Sequence, residues 1–173
     1  MKKFNKKSGI FFWITGLPGS GKTTIAKNIH NKITRLYGPT ILLSGDDIRK
    51  SFNLKSYDYK ERIKLSIRYS KFAKRITKQK INVIYAVVAL FEKTRKWNRK
   101  NFDNYLEIYI KSDIKKIIKQ KKKKIYHKKN IKNIWGKDLK PEFPKNPNII
   151  INNNFKLTTK QLSNKLFKKI SNY

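Results

Sequence analysis

Apolar and polar positions along the chain follow two alternating patterns. Short, nearly continuous apolar runs predict five strands, at residues 10–15, 40–43, 81–89, 105–110 and 148–151. Between them, apolar residues recur every three or four positions, which predicts helices at residues 22–36, 46–52, 59–79, 93–101, from 113 onward and 158–172. Strands that alternate with helices predict an α/β fold: a five-stranded, mainly parallel sheet with helices on both faces, in three layers.

The same periodicity predicts which side chains are buried and where helices begin. The expected apolar face of the first helix comprises Ile25, Ala26, Ile29, Ile33 and Leu36. In the long helix at residues 59–79, it comprises Ile63, Ile67, Phe72 and Ile76. Asp113 is expected to cap the helix that follows it, and Thr158 with Gln161 has the spacing of a capping box.

Residues 119–147 interrupt this alternation. The segment contains four consecutive lysines, the sequence WGKD and three prolines. A stretch this long inside a compact domain is usually a functional lid or a disordered tail, and we expect a lid. No linker or repeat divides the sequence, and 173 residues fit one domain, so we predict a single domain over residues 1–173.

Composition excludes several classes of protein. The 38% of hydrophobic residues suffice for a packed core, and the absence of cysteine excludes disulfides, thiolate zinc sites and cysteine nucleophiles. The longest apolar run, residues 81–91, is shorter than the roughly 20 residues that a membrane helix needs. The basic start and following apolar run resemble a secretory signal, but cleavage there would destroy the glycine-rich motif that follows. We therefore expect a cytoplasmic protein.

The net charge of +34 has two interpretations. It can mark an acidic partner such as nucleic acid. Alternatively it reflects compositional drift, because only seven of the 44 basic residues are arginine and the chain is rich in Ile and Asn, whose codons, like those of Lys, are A/T-rich. Arginine is the residue that specific nucleic-acid readers favour. Drift is therefore the preferred interpretation, with weak attraction to polyanions as a by-product.

Residues 16–23, GLPGSGKT, match the phosphate-loop pattern G-x-x-x-x-G-K-[ST] between a predicted strand and a predicted helix. In such a loop the backbone N–H groups and the helix N-terminus bind phosphate. We expect Lys22 to act in catalysis and the Thr23 hydroxyl to bind Mg²⁺. The residues expected to contact ATP are Gly16, Leu17, Pro18, Gly19, Ser20, Gly21, Lys22, Thr23 and Thr24.

A second candidate site follows the second strand, in the sequence SGDDIR at residues 44–49. Ligands of open parallel sheets bind beyond the carboxyl ends of the strands, so Asp46 is expected to face the phosphate loop. There it can bind Mg²⁺ or accept the proton of an attacking hydroxyl. Arg49 can hold an anionic group of the second substrate. The structural alternatives are a helix-capping aspartate and a solvated arginine, and Asp47 is expected to be structural.

The segments WITGLPGSGKTTIAK, LLSGDDIR and GKDLKPEFPKNPNIII, in this order, resemble the adenylylsulfate kinase family over about residues 11–153. The resemblance implies a P-loop kinase fold and Mg²⁺-assisted transfer of the ATP γ-phosphate to the ribose 3′-hydroxyl of adenylylsulfate. It also implies that Asp46 is catalytic and that Arg49, Tyr57 and Arg62 bind the acceptor. The lid residues that align with the family pattern are Tyr126, Gly136, Asp138, Pro144, Asn146 and Pro147.

The departures from the family pattern lie on the acceptor side. Ser44 stands where the family has an aspartate, and Leu65 where it has an asparagine. The family sequence I-S-P-Y-R is here V-A-L-F-E, so that Glu92 replaces a basic residue. The donor side is thus intact while the acceptor side is altered, which favours a kinase that acts on a related acceptor.

A short segment from Leu90 to Glu107 resembles a branch of the family found with bacterial capsule genes, similar to cytidine diphosphoramidate kinase. Within it, Arg95 is a candidate acceptor-binding residue, as it matches a family arginine. The residues around Trp97 can also be a helix with one buried aromatic. Trp135, in the lid, is expected to stack on a substrate base, the alternative being that it packs the lid against the core.

The expected function is therefore a small-molecule nucleotide kinase that uses ATP and Mg²⁺, with adenylylsulfate as the first acceptor and cytidine diphosphoramidate as the alternative. Two other classes stay open: a kinase of nucleic-acid ends and an inactive nucleotide-binding paralogue. His30 and His127 are expected to be surface residues and not a metal pair. A homodimer is open, because family members often pair, although no interface is evident in the sequence.

Overall fold

The computed structural model describes residues 4–54, 58–120 and 133–173. Within these ranges, five strands alternate with six helices. The strands are β1 (Phe11–Thr15), β2 (Thr40–Ser44), β3 (Asn82–Val87), β4 (Tyr105–Lys111) and β5 (Ile149–Asn152). The helices are α1 (Lys22–Tyr37), α2 (Gly45–Ser51), α3 (Tyr59–Thr77), α4 (Glu92–Asn101), α5 (Ile114–Lys119) and α6 (Thr159–Ser171).

The five strands form one parallel sheet in the order β2-β3-β1-β4-β5. The central strand β1 pairs with β3 on one side, Trp13 opposite Tyr85, and with β4 on the other, Trp13 opposite Glu107. Every residue of β1 is buried, as expected of a strand covered by helices on both faces. The predicted α/β fold with a parallel sheet is confirmed.

The two faces of the sheet have separate cores. On one face, Phe12 and Ile14 pack with the apolar sides of α1 and α6, represented by Ile29 and Leu166. On the other face, the core is largely aromatic and includes Trp13. The rings packed there belong to Phe11, Trp13, Tyr85, Phe91, Phe102 and Trp135. Because helices cover both faces of the sheet, the strand ends, and not the faces, are available for a functional site.

The predicted element boundaries agree with the structure to within two residues, but two predicted core residues are wrong. Leu36 is 48% exposed and Phe72 is 57% exposed. The buried face of α3 consists instead of small residues, Ser66, Ser70, Ala73 and Thr77. Small side chains let α3 approach α4 closely, and the hydroxyls of Ser66 and Thr94 lie 2.6 Å apart across that contact.

The predicted caps are confirmed. The Asp113 carboxylate accepts a hydrogen bond from the Lys116 N–H at the start of α5. Thr158 and Gln161 form a reciprocal capping box at the start of α6. Among the helices that the structure describes, none is long and apolar enough to span a bilayer.

Asn82, at the start of β3, joins three segments at the amino end of the sheet. Its side chain is buried, and its Oδ1 accepts a hydrogen bond of 2.9 Å from the Ile10 N–H. Its Nδ2 donates to the Tyr37 carbonyl at 3.0 Å, and its own N–H donates to the Pro39 carbonyl at 2.8 Å. One side-chain amide therefore satisfies a backbone N–H just before β1 and a backbone carbonyl at the end of α1.

We predict that Asn82→Ala destabilises the fold by roughly 1–3 kcal/mol, because the buried Ile10 N–H loses its acceptor. The denaturant midpoint measured by circular dichroism should fall accordingly. Asn31→Ala, at an exposed position of α1, is the control and should match the wild type. Equal midpoints for the two variants would show that Asn82 does not hold these segments together.

Candidate functional site

The phosphate loop occupies the turn between β1 and α1, as predicted. Gly16 has a φ of +153° and Gly21 a φ of +91°, values that L side chains rarely adopt. A Cβ at Gly16 would lie 2.5 Å from the Ile110 carbonyl oxygen on β4, so only glycine fits there. The loop is therefore pressed against the sheet edge, and its backbone conformation is set by contacts that lie outside the motif.

Lys22 opens α1 and is only 6% exposed. Its Nζ donates to the Leu17 carbonyl at 2.8 Å, within its own loop. The N-cap residue of α1 is Gly21, which supplies no side-chain acceptor to the first turn. A helix of 16 residues that begins in this way offers backbone N–H groups and partial positive charge to an anion.

Ser44 and Asp47 form a closed pair at the start of α2. The Ser44 hydroxyl donates to the Asp47 carboxylate at 2.6 Å and accepts from the Asp47 N–H at 3.1 Å. Asp47 therefore has the structural role expected of it. The serine that replaces a family aspartate is the N-cap of α2. This arrangement holds the first turn of α2, which carries Asp46, at the carboxyl end of β2.

A single cavity of about 980 Å³ joins the two candidate sites at the carboxyl edge of the sheet. Its walls include the phosphate loop, the first turn of α2, the middle of α3 and the end of β3. The predicted site residues that line it are Pro18, Gly19, Gly21, Lys22, Thr23, Thr24, Asp46, Arg49, Arg62 and Trp135. Gly16, Leu17 and Ser20 belong to the loop but are not among the lining residues.

Two arginines border the part of the cavity opposite the phosphate loop. An Arg49 Nη2 donates to the Leu54 carbonyl at 2.7 Å. An Arg62 Nη1 donates to the Asn133 carbonyl at 2.9 Å, and its guanidinium carbon lies 5.1 Å from the centre of the Trp135 ring. Both side chains are thus oriented by the protein itself. Tyr57, predicted to contact the acceptor, lies outside the described residues, as do Tyr126 and His127 of the lid.

Trp135 is 1% exposed and packs against the core. Its ring lies 5.0 Å from that of Phe91, nearly perpendicular to it, and 6.2 Å from that of Tyr59. Of the two sequence interpretations, this placement favours packing of the lid over stacking on a base. The ring still borders the cavity, so it shapes the wall that an acceptor would meet.

Arg95 is placed differently from the prediction. It does not line the cavity; it is fully buried and paired with Glu92 and with Glu107, the latter at 3.5 Å. Arg99 binds the same two carboxylates at 3.2 and 2.7 Å. The acidic residue that departs from the family pattern, Glu92, is therefore neutralised within a four-residue ion network. The placement gives Arg95 a structural role and no contact with the acceptor side.

The two carboxylates of this network have opposite pKa shifts. Burial raises the pKa of Glu107, because it outweighs the lowering effect of Arg99 and Arg95. Burial also opposes ionisation of Glu92, but hydrogen bonds and charge from Arg95 and Arg99 lower its pKa overall. Both arginines therefore favour the ionised form of Glu107 against the effect of its burial.

Sequence reasoning missed two parts of the cavity wall. Tyr69 and Tyr85 line it, and within the described chain neither hydroxyl has a hydrogen-bond partner. The segment after β5 also lines it, and the Asn153 Nδ2 donates to the Ser20 carbonyl of the phosphate loop at 3.0 Å. Two features of the sequence could have indicated these residues. Tyr85 is a tyrosine inside the most apolar strand, and Asn153 lies just beyond the end of a strand.

No group of three or more His, Cys, Asp or Glu side chains that could hold a metal occurs in the described ranges. His30 is engaged with the Thr40 carbonyl at 2.9 Å, consistent with a structural role. Thr23 and Asp46 are among the residues that line the cavity, and their side-chain oxygens are hard donors of the kind that Mg²⁺ prefers.

A phosphate loop at the carboxyl edge of a parallel sheet, facing a carboxylate and two arginines across one cavity, defines a nucleotide kinase of the P-loop class. The sequence profile of the adenylylsulphate kinase family matches residues 8–152, and the chain belongs to that family. It is therefore a phosphotransferase.

The names of individual relatives specify two different substrates. The cytidine diphosphoramidate kinase of Campylobacter jejuni is 33% identical over 169 residues, which cover 96% of this chain and 99% of that protein. The adenylyl-sulfate kinase of Clostridium acetobutylicum is 34% identical over 158 residues, covering 87% of this chain and 78% of that protein.

Among solved structures, the Mycobacterium tuberculosis APS kinase in complex with AMPPNP and APS has a TM-score of 0.83 at 20% identity. The match covers 95% of this chain and 98% of that one. At 20% identity, this structural similarity establishes a shared fold and nothing further.

We predict that Arg95→Met destabilises the protein by roughly 3 kcal/mol, because it weakens the compensation of the buried Glu107 carboxylate. A second change, Glu107→Gln, should restore part of the loss in a urea titration. Lys96→Met, at an exposed position of the same helix, is the comparison and should match the wild type. If Arg95→Met is as stable as Lys96→Met, the buried arginine does not stabilise the network.

Proposed function

We propose that this chain transfers the γ-phosphate of ATP to a ribose 3′-hydroxyl of a nucleotide, with cytidine diphosphoramidate as its preferred acceptor. The observation that carries the proposal is the one cavity that joins an intact phosphate loop to an altered acceptor wall. The near end-to-end match to a cytidine diphosphoramidate kinase favours that acceptor. Adenylylsulfate is the second candidate, because other relatives of similar identity bear that activity in their names.

On the donor side, the phosphate loop supplies the charge that ATP needs. Backbone N–H groups at the start of α1 bind the phosphates of ATP. The Lys22 ammonium group, which donates to the Leu17 carbonyl, turns to the γ-phosphate and neutralises its charge during transfer. Thr23 and Asp46 would hold Mg²⁺, which when bound offsets negative charge on the phosphates. Asn153 and the residues after it extend this wall, and Phe155 and Leu157 offer an apolar surface for the adenine.

On the acceptor side, Asp46 orients the hydroxyl and accepts its proton as the oxygen attacks the γ-phosphorus. The new O–P bond forms as the bond from the γ-phosphorus to the bridging oxygen breaks, and ADP leaves. Arg49 and Arg62 are suited to bind the anionic groups of the acceptor. Positioning and charge stabilisation supply most of the catalysis in phosphoryl transfer, so these few groups suffice.

The loss of a family carboxylate at residue 44 does not disable this mechanism. Ser44 retains the capping role at α2 through its two hydrogen bonds with Asp47. The first turn of α2 therefore keeps a defined start, and Asp46 remains in the cavity wall. This observation argues for an active enzyme over an inactive nucleotide-binding paralogue.

The acceptor can be identified by ADP release from ATP·Mg²⁺ with cytidine diphosphoramidate and adenylylsulfate in parallel reactions. We expect turnover with the cytidine nucleotide and at least roughly tenfold lower kcat/KM with adenylylsulfate, which corresponds to a difference of about 1.4 kcal/mol in transition-state binding. The opposite preference would assign the enzyme to adenylylsulfate. ADP release that requires nucleic acid and falls steeply with salt would indicate a kinase of nucleic-acid ends. No turnover with any acceptor would contradict the proposed function.

We predict that Lys22→Ala lowers kcat/KM by at least about 100-fold, because charge on the transferring phosphoryl group is no longer offset. Asp46→Asn should lower kcat by roughly 100-fold or more, through loss of the proton acceptor, with less effect on ATP affinity. Steady-state kinetics and calorimetric ATP titration separate the two effects. Lys27→Ala, on the exposed side of α1, is the charge-matched control. Wild-type rates in either site variant would overturn these roles.

A further inference from the structure

The Glu142 carboxylate bridges two elements that border the acceptor side. Its Oε2 accepts a hydrogen bond of 2.6 Å from the Glu92 N–H at the first residue of α4. Its Oε1 accepts one of 2.9 Å from the Tyr59 hydroxyl at the first residue of α3. The Glu142 N–H also donates to the Leu90 carbonyl at 3.2 Å. One residue thus ties the starts of α3 and α4 to the chain that precedes β5.

That chain carries Trp135 in a compact turn. The Ile134 N–H donates to the Asp138 carboxylate at 3.1 Å, and the Gly136 N–H to the Leu139 carbonyl at 2.9 Å. Only Lys140 and Pro141 separate Leu139 from Glu142, so the turn and the bridge are adjacent in sequence. A displacement of Glu142 would therefore also move the turn that carries Trp135.

The three anchored segments meet in an aromatic cluster beside the cavity. The rings of Tyr59 and Phe91 lie 5.3 Å apart, and each contacts Trp135. The Arg62 guanidinium covers the Trp135 ring and reaches within 6.0 Å of the centre of Phe91. Phe91, Trp135 and Arg62 all line the cavity, whereas Tyr59 and Glu142 are not among its lining residues.

We propose that Glu142 is a positioning residue for the acceptor: it sets the placement of Trp135 and Arg62 without touching the substrate. The inference rests on the proposed function, because it takes this end of the cavity as the acceptor side. Nothing in the catalytic roles derived above uses Glu142.

Three physical features support this role. A carboxylate at a helix N-terminus is favoured by the helix dipole and satisfies an N–H that lacks an intrahelical partner. The N-cap residue of α4 is Phe91, whose side chain supplies no cap hydrogen bond. The hydrogen bond to Glu142 also raises the pKa of Tyr59, as expected of a hydroxyl that donates to a carboxylate.

The kinetic test compares Glu142→Ala with the wild type at saturating ATP. We expect the acceptor KM to rise about 3- to 10-fold, the effect of losing one to two hydrogen bonds, with the ATP KM nearly unchanged. Glu142→Gln keeps an acceptor and a polar partner and should recover most of the affinity. Glu61→Ala, an exposed glutamate on the same turn as Tyr59, is the matched control and should behave as wild type.

A double variant tests the bridge itself. Tyr59→Phe alone should raise the acceptor KM about 2-fold, and Glu142→Ala combined with Tyr59→Phe should equal Glu142→Ala, since both changes break one connection. Independent, multiplying effects would overturn the proposal. An unchanged acceptor KM in Glu142→Ala, or equal rises for acceptor and ATP, would overturn it as well.

Hydrogen exchange separates failure of this inference from failure of the proposed function. In Glu142→Ala, amides of residues 134–139 should exchange faster, while those of β1 should not. If the wild type phosphorylates neither nucleotide, the proposed function fails, and faster exchange in this turn still supports the anchoring of Trp135 by Glu142. Unchanged exchange there would overturn it regardless of turnover.

Discussion

Parallel pairing of β1 between β3 and β4 is the constraint on which the rest of the structure depends. Because neighbouring strands run in the same direction, the carboxyl ends of β1, β2 and β3 meet at one edge. The phosphate loop, the turn with Asp46 and the loop before α4 therefore border one cavity. The close approach of Gly16 to the Ile110 carbonyl shows how directly the sheet shapes the loop. The donor and acceptor sites are thus a consequence of strand direction.

The acceptor side differs from the family pattern, but the altered side chains are paired with other side chains of the protein. At residue 44, a serine replaces a carboxylate and is paired with Asp47 as a helix cap. At residue 92, an acid replaces a base and is neutralised by Arg95 and Arg99. An enzyme that had lost its function would accumulate unpaired changes at such positions. Paired changes support the proposal of an active enzyme with an altered acceptor side.

Local signals in the sequence predicted most of the fold and the donor site. A phosphate loop, a capping box and an apolar strand are each encoded within about ten residues, and the structure contains all of them where they were expected. Packing between distant segments was not predictable in this way. Phe72 was assigned to the core because periodicity cannot reveal that α3 buries its serines against α4. Arg95 was assigned to the acceptor from its match to a family arginine, and the sequence did not reveal its pairing with Glu107, which lies on β4.

The distribution of carboxylates bears on the meaning of the net charge. Of the ten acidic side chains, at least seven accept hydrogen bonds within the described ranges, and several serve backbone N–H groups at helix starts, as Asp58, Asp113 and Glu142 do. At such positions, replacement by lysine would leave N–H groups without acceptors and oppose the helix dipole. Replacement of other residues by lysine is therefore tolerated on the exposed surface, but not where a carboxylate accepts hydrogen bonds from backbone N–H groups. The pattern favours a composition bias, limited by local structure, over a surface selected for polyanions.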